Sequence, residues 1–142
     1  MIKICVIDGQ GGGIGSNIIR KLNDEFDEDV DVIALGTNAI ATAQMLKAKA
    51  NRGASGENAI IQNVKKADVI VGPLGIIMPH SFMGEFTMGM AEAVSLAKAR
   101  KFLIPLYQED LEIAGIESSP LPHFVDEIVI QNIKPYILNK IR

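Results

Sequence analysis

Residues Ile4–Gly15, reading Ile-Cys-Val-Ile-Asp-Gly-Gln-Gly-Gly-Gly-Ile-Gly, carry the densest chemical signal in the sequence. Four apolar or thiol-bearing residues and an aspartate lead into five glycines within seven positions, and an amphipathic helix pattern follows at once. A buried strand, a glycine turn and a helix N-terminus together form an anion cradle. Backbone N–H groups point outward there, and the helix dipole favours negative charge. Gly9, Gln10, Gly11, Gly12, Gly13, Ile14 and Gly15 are therefore the candidates for holding the phosphate of a nucleotide or of another phosphate-bearing small molecule. A turn without a ligand needs fewer glycines, because each one costs backbone entropy.

Asp8 borders that turn. A carboxylate beside a bound pyrophosphate repels it unless a metal, a proton or backbone N–H groups compensate. The first reading is that Asp8 binds amides of the glycine turn; holding Mg²⁺ against a phosphate, or contacting a ribose hydroxyl, are the alternatives. Glu85 is a polar residue inside a hydrophobic run and could act in a crevice, with capping or an interface contact as equal readings. Asp8 and Glu85 are the catalytic candidates, although no nucleophile–base pair and no metal-ligand spacing accompanies them. His80, between Pro79 and Ser81, reads as an ordinary surface histidine, and His123 as the structural start of a helix. Arg52 and Glu57 flank a glycine-containing loop that would either cover a phosphate or form a solvated pair.

The elements that must position these residues alternate along the chain. Ile2–Ile7 is a near-continuous apolar run, as expected of a strand covered on both faces. A helix is predicted over Gly13–Glu25, with Ile14, Ile18, Ile19, Leu22 and Phe26 on one face. Strand two is predicted over Val30–Leu35 and is followed by the turn Gly36, Thr37, Asn38, in which Thr37 or Asn38 would cap an alanine-rich helix over Ala39–Lys49. Asn51–Asn58 reads as a loop, followed by a short helix over Glu57–Lys66 and a third strand over Asp68–Val71 that Gly72, Pro73 and Gly75 terminate. Ile76–Met90 concentrates Met78, Phe82, Met83, Phe86, Met88 and Met90. Such a run is either a lid over a ligand or a surface against another subunit, and the subunit surface is the preferred expectation.

A helix over Thr87–Ala99 and a fourth strand over Phe102–Leu106 follow, the latter at an edge or ended by Pro105. Leu111–Ile116 is read as a short fifth strand. A final helix beginning near His123 carries Val125, Val129, Ile133, Ile137 and Ile141 in a stripe, with Pro135 expected to kink or split it. The pattern predicts an α/β fold over residues 1–142: a compact Rossmann-like three-layer sandwich with a mainly parallel sheet of four or five strands flanked by helices. The long crossover between strands two and three allows the order 2-1-3-4. The glycine loop and the Gly72–Glu85 loop would then share one crevice at the carboxyl ends of strands one and three.

Composition bounds the partners. The chain has 142 residues, enough for one domain with a normal core, and it is 48% hydrophobic and 22% charged. The slight apolar excess hints at a surface covered by another subunit, so a homo-oligomer is expected, a dimer first. Net charge is −3 with scattered cations, so neither a nucleic acid nor a membrane surface is an expected partner. Cys5 is the only cysteine, which excludes an internal disulfide and a multi-cysteine metal site, and in its apolar run it reads as a buried inert thiol. No signal peptide precedes the first strand and no apolar run is long enough to span a bilayer, so a soluble cytoplasmic protein is expected.

Gly9-x-x-x-Gly13-Ile14-Gly15 is similar to the glycine pattern of the short-chain dehydrogenases, whose loop lets a helix N-terminus approach a dinucleotide pyrophosphate. Asp8 stands where that family usually has threonine. The strict G-x-G-x-x-G pattern is not met, since its third glycine would fall on Ile14 or Ser16. Gly36, Thr37 and Asn38 replace the acidic residue that would hold an adenosine ribose, and no adjacent arginine suits a 2′-phosphate. Tyr-x-x-x-Lys occurs as Tyr136–Lys140, at the far end of the chain beyond Pro135, a spacing common by chance. The substrate half of that fold is missing, so hydride chemistry in this chain alone is not expected. A methyltransferase-type loop fits poorly in both acid-to-glycine spacing and length.

The whole chain also resembles a family of short bacterial proteins catalogued only as a domain of unknown function. The resemblance lies in Ile7–Gly15, Ala34–Ala39, Asn51–Ala54, Gly56–Asn58 and Val71–Pro73, about the first two-thirds of the chain. It implies a Rossmann-like fold and brings no reaction or catalytic residue. The reading that follows is a nucleotide- or dinucleotide-binding protein, with a sensor or accessory subunit ahead of an enzyme. NAD or NADP is the cofactor considered, with Mg²⁺ beside it. The ligand phosphate would sit on Gly9–Gly15, Thr37 and Asn38 would contact its sugar or base side, and Gly72, Pro73 and Gly75 would form the opposite wall. A small metal-assisted enzyme and a protein-interaction module with an empty glycine turn are the alternatives.

Overall fold

The computed structural model describes residues 1–106 and 110–141. Five strands, β1 (Ile2–Asp8), β2 (Val30–Gly36), β3 (Arg52–Ser55), β4 (Val69–Pro73) and β5 (Arg100–Ile104), form one sheet in the order β3-β2-β1-β4-β5. Every pairing is parallel. The helices are α1 (Gly13–Glu25), α2 (Ala39–Lys47), α3 (Glu57–Val64), α4 (Met88–Leu96), α5 (Leu121–Asp126) and α6 (Lys134–Ile141). A π-helical segment, Glu127–Ile133, joins α5 to α6.

Alternation along β1 explains the three layers. Ile4 and Val6 point to one face, where they pack with Ile18, Ile19 and Leu22 of α1, Met45 of α2 and Val129 and Ile133 of the C-terminal helical run. Cys5 and Ile7 point to the other, against Ile60 and Val64 of α3 and Met90 and Val94 of α4. A central parallel strand must be apolar on both sides, and β1 is. Burial pushes the Cys5 thiol up to about 12, so it is inert packing. The predicted strands one to four correspond to β1, β2, β4 and β5, and their predicted order is present as β2-β1-β4-β5. The edge position expected for the fourth strand is that of β5, which ends one residue before Pro105.

Two expectations are corrected, and a third, at Pro135, is given its form. Arg52–Ser55, read as loop, is the edge strand β3, paired with β2 from Ile33↔Arg52 to Gly36↔Ser55. Its side chains are largely exposed, so the ladder is made by backbone, and the Asn51 side chain accepts the Val32 N–H at 2.7 Å where the pairing begins. Leu111–Ile116 forms no strand; it is a turn region with Gly115 at φ 82°. At Pro135 the expected irregularity is a change from π to α geometry within a continuous helical run. Lys134 N–H reaches back five residues to the Val129 carbonyl, which widens the turn just before the proline. A stripe of every fourth residue drifts about 40° per step around an α-helix, and the wider turn takes up part of that drift. Val125, Val129, Ile133 and Ile137 are thus all buried, while Ile141 is exposed.

Candidate functional site

β1 delivers Asp8 to the carboxyl edge of the sheet, and the chain turns through Gly9–Gly12, closed by Gly12 N–H on the Gly9 carbonyl at 3.0 Å. Gly12 has φ 75°, a conformation that needs glycine, and a Cβ there would lie 2.7 Å from the Ala41 carbonyl oxygen. Gly15 lets α1 pack closely, since its Cβ would lie 3.0 Å from that of Asp8. Gly11 and Gly13 differ. Neither has φ in the left-handed region, and a Cβ on either would meet nothing within 4 Å. Their amides have no hydrogen-bond partner among the described residues.

Asp8 is 2% exposed. Its carboxylate accepts the Gly9 N–H at 2.8 Å and the Gly15 N–H at 2.7 Å. Burial pushes the carboxyl above its ordinary value, against the opposing pull of the Gly15, Gly9 and Ile14 amides, and the Glu85 charge adds to the rise. With one amide on each oxygen, Asp8 acts as the strut of the glycine turn, the first of its readings from the sequence. Among the described residues no group of three or more His, Cys, Asp or Glu side chains gathers as metal ligands would.

Glu85 reaches the same turn from the segment after β4. Its carboxylate accepts the Gln10 N–H at 2.8 Å, the Thr37 hydroxyl at 2.6 Å and the Asn38 amide at 3.1 and 3.2 Å. The Thr37 hydroxyl, ahead of Gln10 and Asn38, holds its carboxyl below the ordinary value. Asn38 meanwhile caps α2 by accepting the Ala41 N–H at 2.8 Å and donates to the Gln10 carbonyl at 3.0 Å. Gln10, Thr37, Asn38 and Glu85 therefore converge, although up to 75 positions separate them in the sequence.

Order β3-β2-β1-β4-β5 puts the topological switch between β1 and β4, the place where open parallel sheets receive ligands. A cleft of about 230 Å³ lies there, lined by Gln10, Ile14, Pro73, Gly75, Met78 and Phe82 among others. The glycine loop and the loop after β4 do share it. Gly72 plays a packing part instead, because its Cβ would run into the Ile7 carbonyl. Met78–Met90 divides. Phe86 and Met90 are buried in the core and Phe82 covers Gly9, whereas Met83 and Met88 are 92% and 59% exposed. The expectation of a subunit surface along the whole stretch is thereby narrowed to its outward methionines.

Other candidates lie elsewhere or are engaged. Arg52 pairs with Asp31 at 2.6 Å at the start of β3, the opposite edge of the sheet from the crevice, and Glu57 accepts the Thr87 hydroxyl at 2.9 Å. Neither lines the cleft. Tyr136 packs edge-on against Phe102 with Arg100 and Lys140 over its ring, so the Tyr136–Lys140 spacing serves packing. His123 is exposed on α5, and His80 is exposed near the start of the segment covering Gly9. Phe82 belongs to the run read as a lid or a subunit surface, whereas the sequence did not single out Ser81, whose hydroxyl donates to the Gly75 carbonyl.

The family model described as Domain of unknown function (DUF3842) matches residues 3–137. The chain belongs to that family. The match runs past Tyr107 into the C-terminal helices, further than the two-thirds of the sequence that carried the resemblance. No curated protein matches the chain. Among solved structures, one match is described as the crystal structure of a dodecameric FMN-dependent Ubix-like decarboxylase from Escherichia coli O157:H7. It is 13% identical with a TM-score of 0.43, and the alignment covers 92% of this chain and 93% of that one. At that score it carries no argument about ligand or assembly.

Proposed function

We propose that this chain binds a nucleotide or dinucleotide in the crevice between β1 and β4, as a single-domain sensor or accessory protein. One observation carries the reading. Gly11 and Gly13 lack side chains where neither backbone conformation nor packing requires it, beside the N-terminus of α1 at the switch point. Glycine there costs up to about 1 kcal/mol relative to alanine within a helix, and close approach of a phosphate to the bare backbone accounts for it. Gly9–Gly15 would hold the phosphate, with Pro73 and Gly75 on the opposite wall. Thr37 and Asn38 would meet the sugar. The engagement of both Asp8 oxygens favours a binding role over acid–base chemistry. NAD, NADP and a Mg²⁺-bound nucleotide are the ligand classes to test. Exposed Met83, Met88 and Leu96 support assembly with further copies. No helix among the described residues is long and apolar enough to cross a membrane.

The test is a thermal-shift screen with NAD, NADP, ATP, GTP, coenzyme A and S-adenosylmethionine, each with and without Mg²⁺. A ligand at a hundred times its dissociation constant should add about 2.7 kcal/mol of stability. Gly13→Val should abolish the shift while the protein still folds. A flat screen with folded, ligand-free protein would sink the reading and favour an interaction module.

A further inference from the structure

The segment Met78–Phe86 closes the crevice in which the ligand is proposed to bind. Phe82 lies directly over Gly9, where an added Cβ would be 2.9 Å from its ring. The cleft left beneath the segment, about 230 Å³, is smaller than the roughly 300–1,000 Å³ of ordinary ligand pockets. Phe82 thereby covers the face of Gly9 that a phosphate on the turn would approach.

The cover is anchored at few points. Phe86 is fully buried at its far end, and Ser81 Oγ donates to the Gly75 carbonyl at 2.6 Å at its near end. Between them the tip projects outward, with Met83 92% exposed. Three non-glycine residues in the span hold left-handed backbone: His80 at φ 68°, Phe82 at φ 56° and Met83 at φ 56°. Backbone hydrogen bonds within the segment, such as His80 N–H on the Phe86 carbonyl at 2.7 Å and Phe86 N–H on the Ser81 carbonyl at 3.1 Å, hold that conformation, so the segment is suited to move as one unit. The strongest of its contacts to the opposite wall is the Glu85 carboxylate on Gln10, Thr37 and Asn38.

We propose that Glu85 latches the segment shut over the glycine loop, and that a phosphate-bearing ligand opens it by taking over the Glu85 hydrogen bonds. The proposal rests on the nucleotide-binding reading. All three partners of Glu85 donate, so removal of the carboxylate leaves a backbone N–H, a hydroxyl and an amide N–H aimed at one point. Acceptor groups satisfy them, a phosphate oxygen at the Gln10 N–H and sugar oxygens at Thr37 and Asn38, whereas a cation or an apolar group does not. Opening also lifts Phe82 from Gly9.

The test compares wild type with Glu85→Ala and Glu85→Gln by calorimetric titration with AMP, NAD and inorganic phosphate, and by amide exchange without ligand. Freed of its latch, Glu85→Ala should bind AMP or NAD about tenfold tighter or more, since apparent affinity scales with the open fraction. Its Gln10 amide and residues 80–85 should exchange faster. Inorganic phosphate binding that gains as much as AMP assigns the vacated donors to phosphate alone and still supports the exchange. Equal or weaker AMP and NAD binding by Glu85→Ala overturns the latch while leaving the nucleotide reading standing. No binding by any of the three proteins overturns that reading, and the ligand assignment with it. Unchanged exchange at Gln10 in Glu85→Ala overturns the latch irrespective of ligand.

Discussion

Replacing Asp8 with alanine removes the acceptor around which the glycine turn is folded. The carboxylate takes the Gly9 and Gly15 N–H groups at 2.8 and 2.7 Å, in a site only 2% exposed, so truncation strands two buried donors. A buried donor without an acceptor costs about 1–3 kcal/mol, which sets about 2–6 kcal/mol for the pair. Relief of a buried charge returns part of this, because burial is the largest influence on the Asp8 carboxyl. The expected net loss is about 2–4 kcal/mol. Asp8→Asn keeps one acceptor oxygen and turns an NH₂ toward the other amide, so its loss should fall between wild type and Asp8→Ala. Urea melts should show a lower midpoint at unchanged slope. Amide exchange should show Gly15 and the first turn of α1 losing protection. An Asp8→Ala midpoint equivalent to wild type within about 0.5 kcal/mol, or a Gly15 amide equally protected in both, would refute the strut assignment.

Two further predictions follow from the same turn. Glu85 is held below its ordinary value, so its ionised contact stabilises the fold above the ordinary carboxylate range and is lost as pH falls through the lowered value. Asp8 is raised, so its contribution is complete below the ordinary aspartate value and is lost as pH rises through the raised one. On acidification from neutrality, the stability margin of wild type over Glu85→Gln should shrink and its margin over Asp8→Asn should grow; parallel pH profiles would contradict both assignments. Gly12→Ala should cost at least about 2 kcal/mol, from left-handed strain and the approach to the Ala41 carbonyl, whereas Gly13→Ala should leave thermal stability unchanged or raised. Equal losses in the two melts would show that the glycines of this turn are not divided between folding and binding.

The limits of the sequence are visible element by element. β1, the glycine turn and α1 were legible because their signals are local: an apolar run, glycines where backbone must bend, and a 3.6-residue stripe over Ile18, Ile19 and Leu22. The long crossover allowed the order β2-β1-β4-β5, and the sheet has it. β3 was hidden because its exposed residues contribute backbone to a ladder that exists only once β2 is in place. The same holds at Pro135, where a missing N–H is absorbed by a widened turn that keeps the buried stripe facing the sheet.

At the crevice the division is sharper. The sequence by itself determined that a glycine turn leading into a helix N-terminus stands at the end of the first strand, because glycine content and helix polarity are properties of neighbouring residues. Only the tertiary structure decided what occupies that turn. Asp8 is seven residues from Gly15, Thr37 is 48 from Glu85 and Gln10 is 75 from it. Side-chain hydrogen bonds across such separations leave no periodicity to read. They form because parallel strands deliver the loops after β1, β2 and β4 to one edge of the sheet, where carboxylates and donors that are distant along the chain satisfy one another.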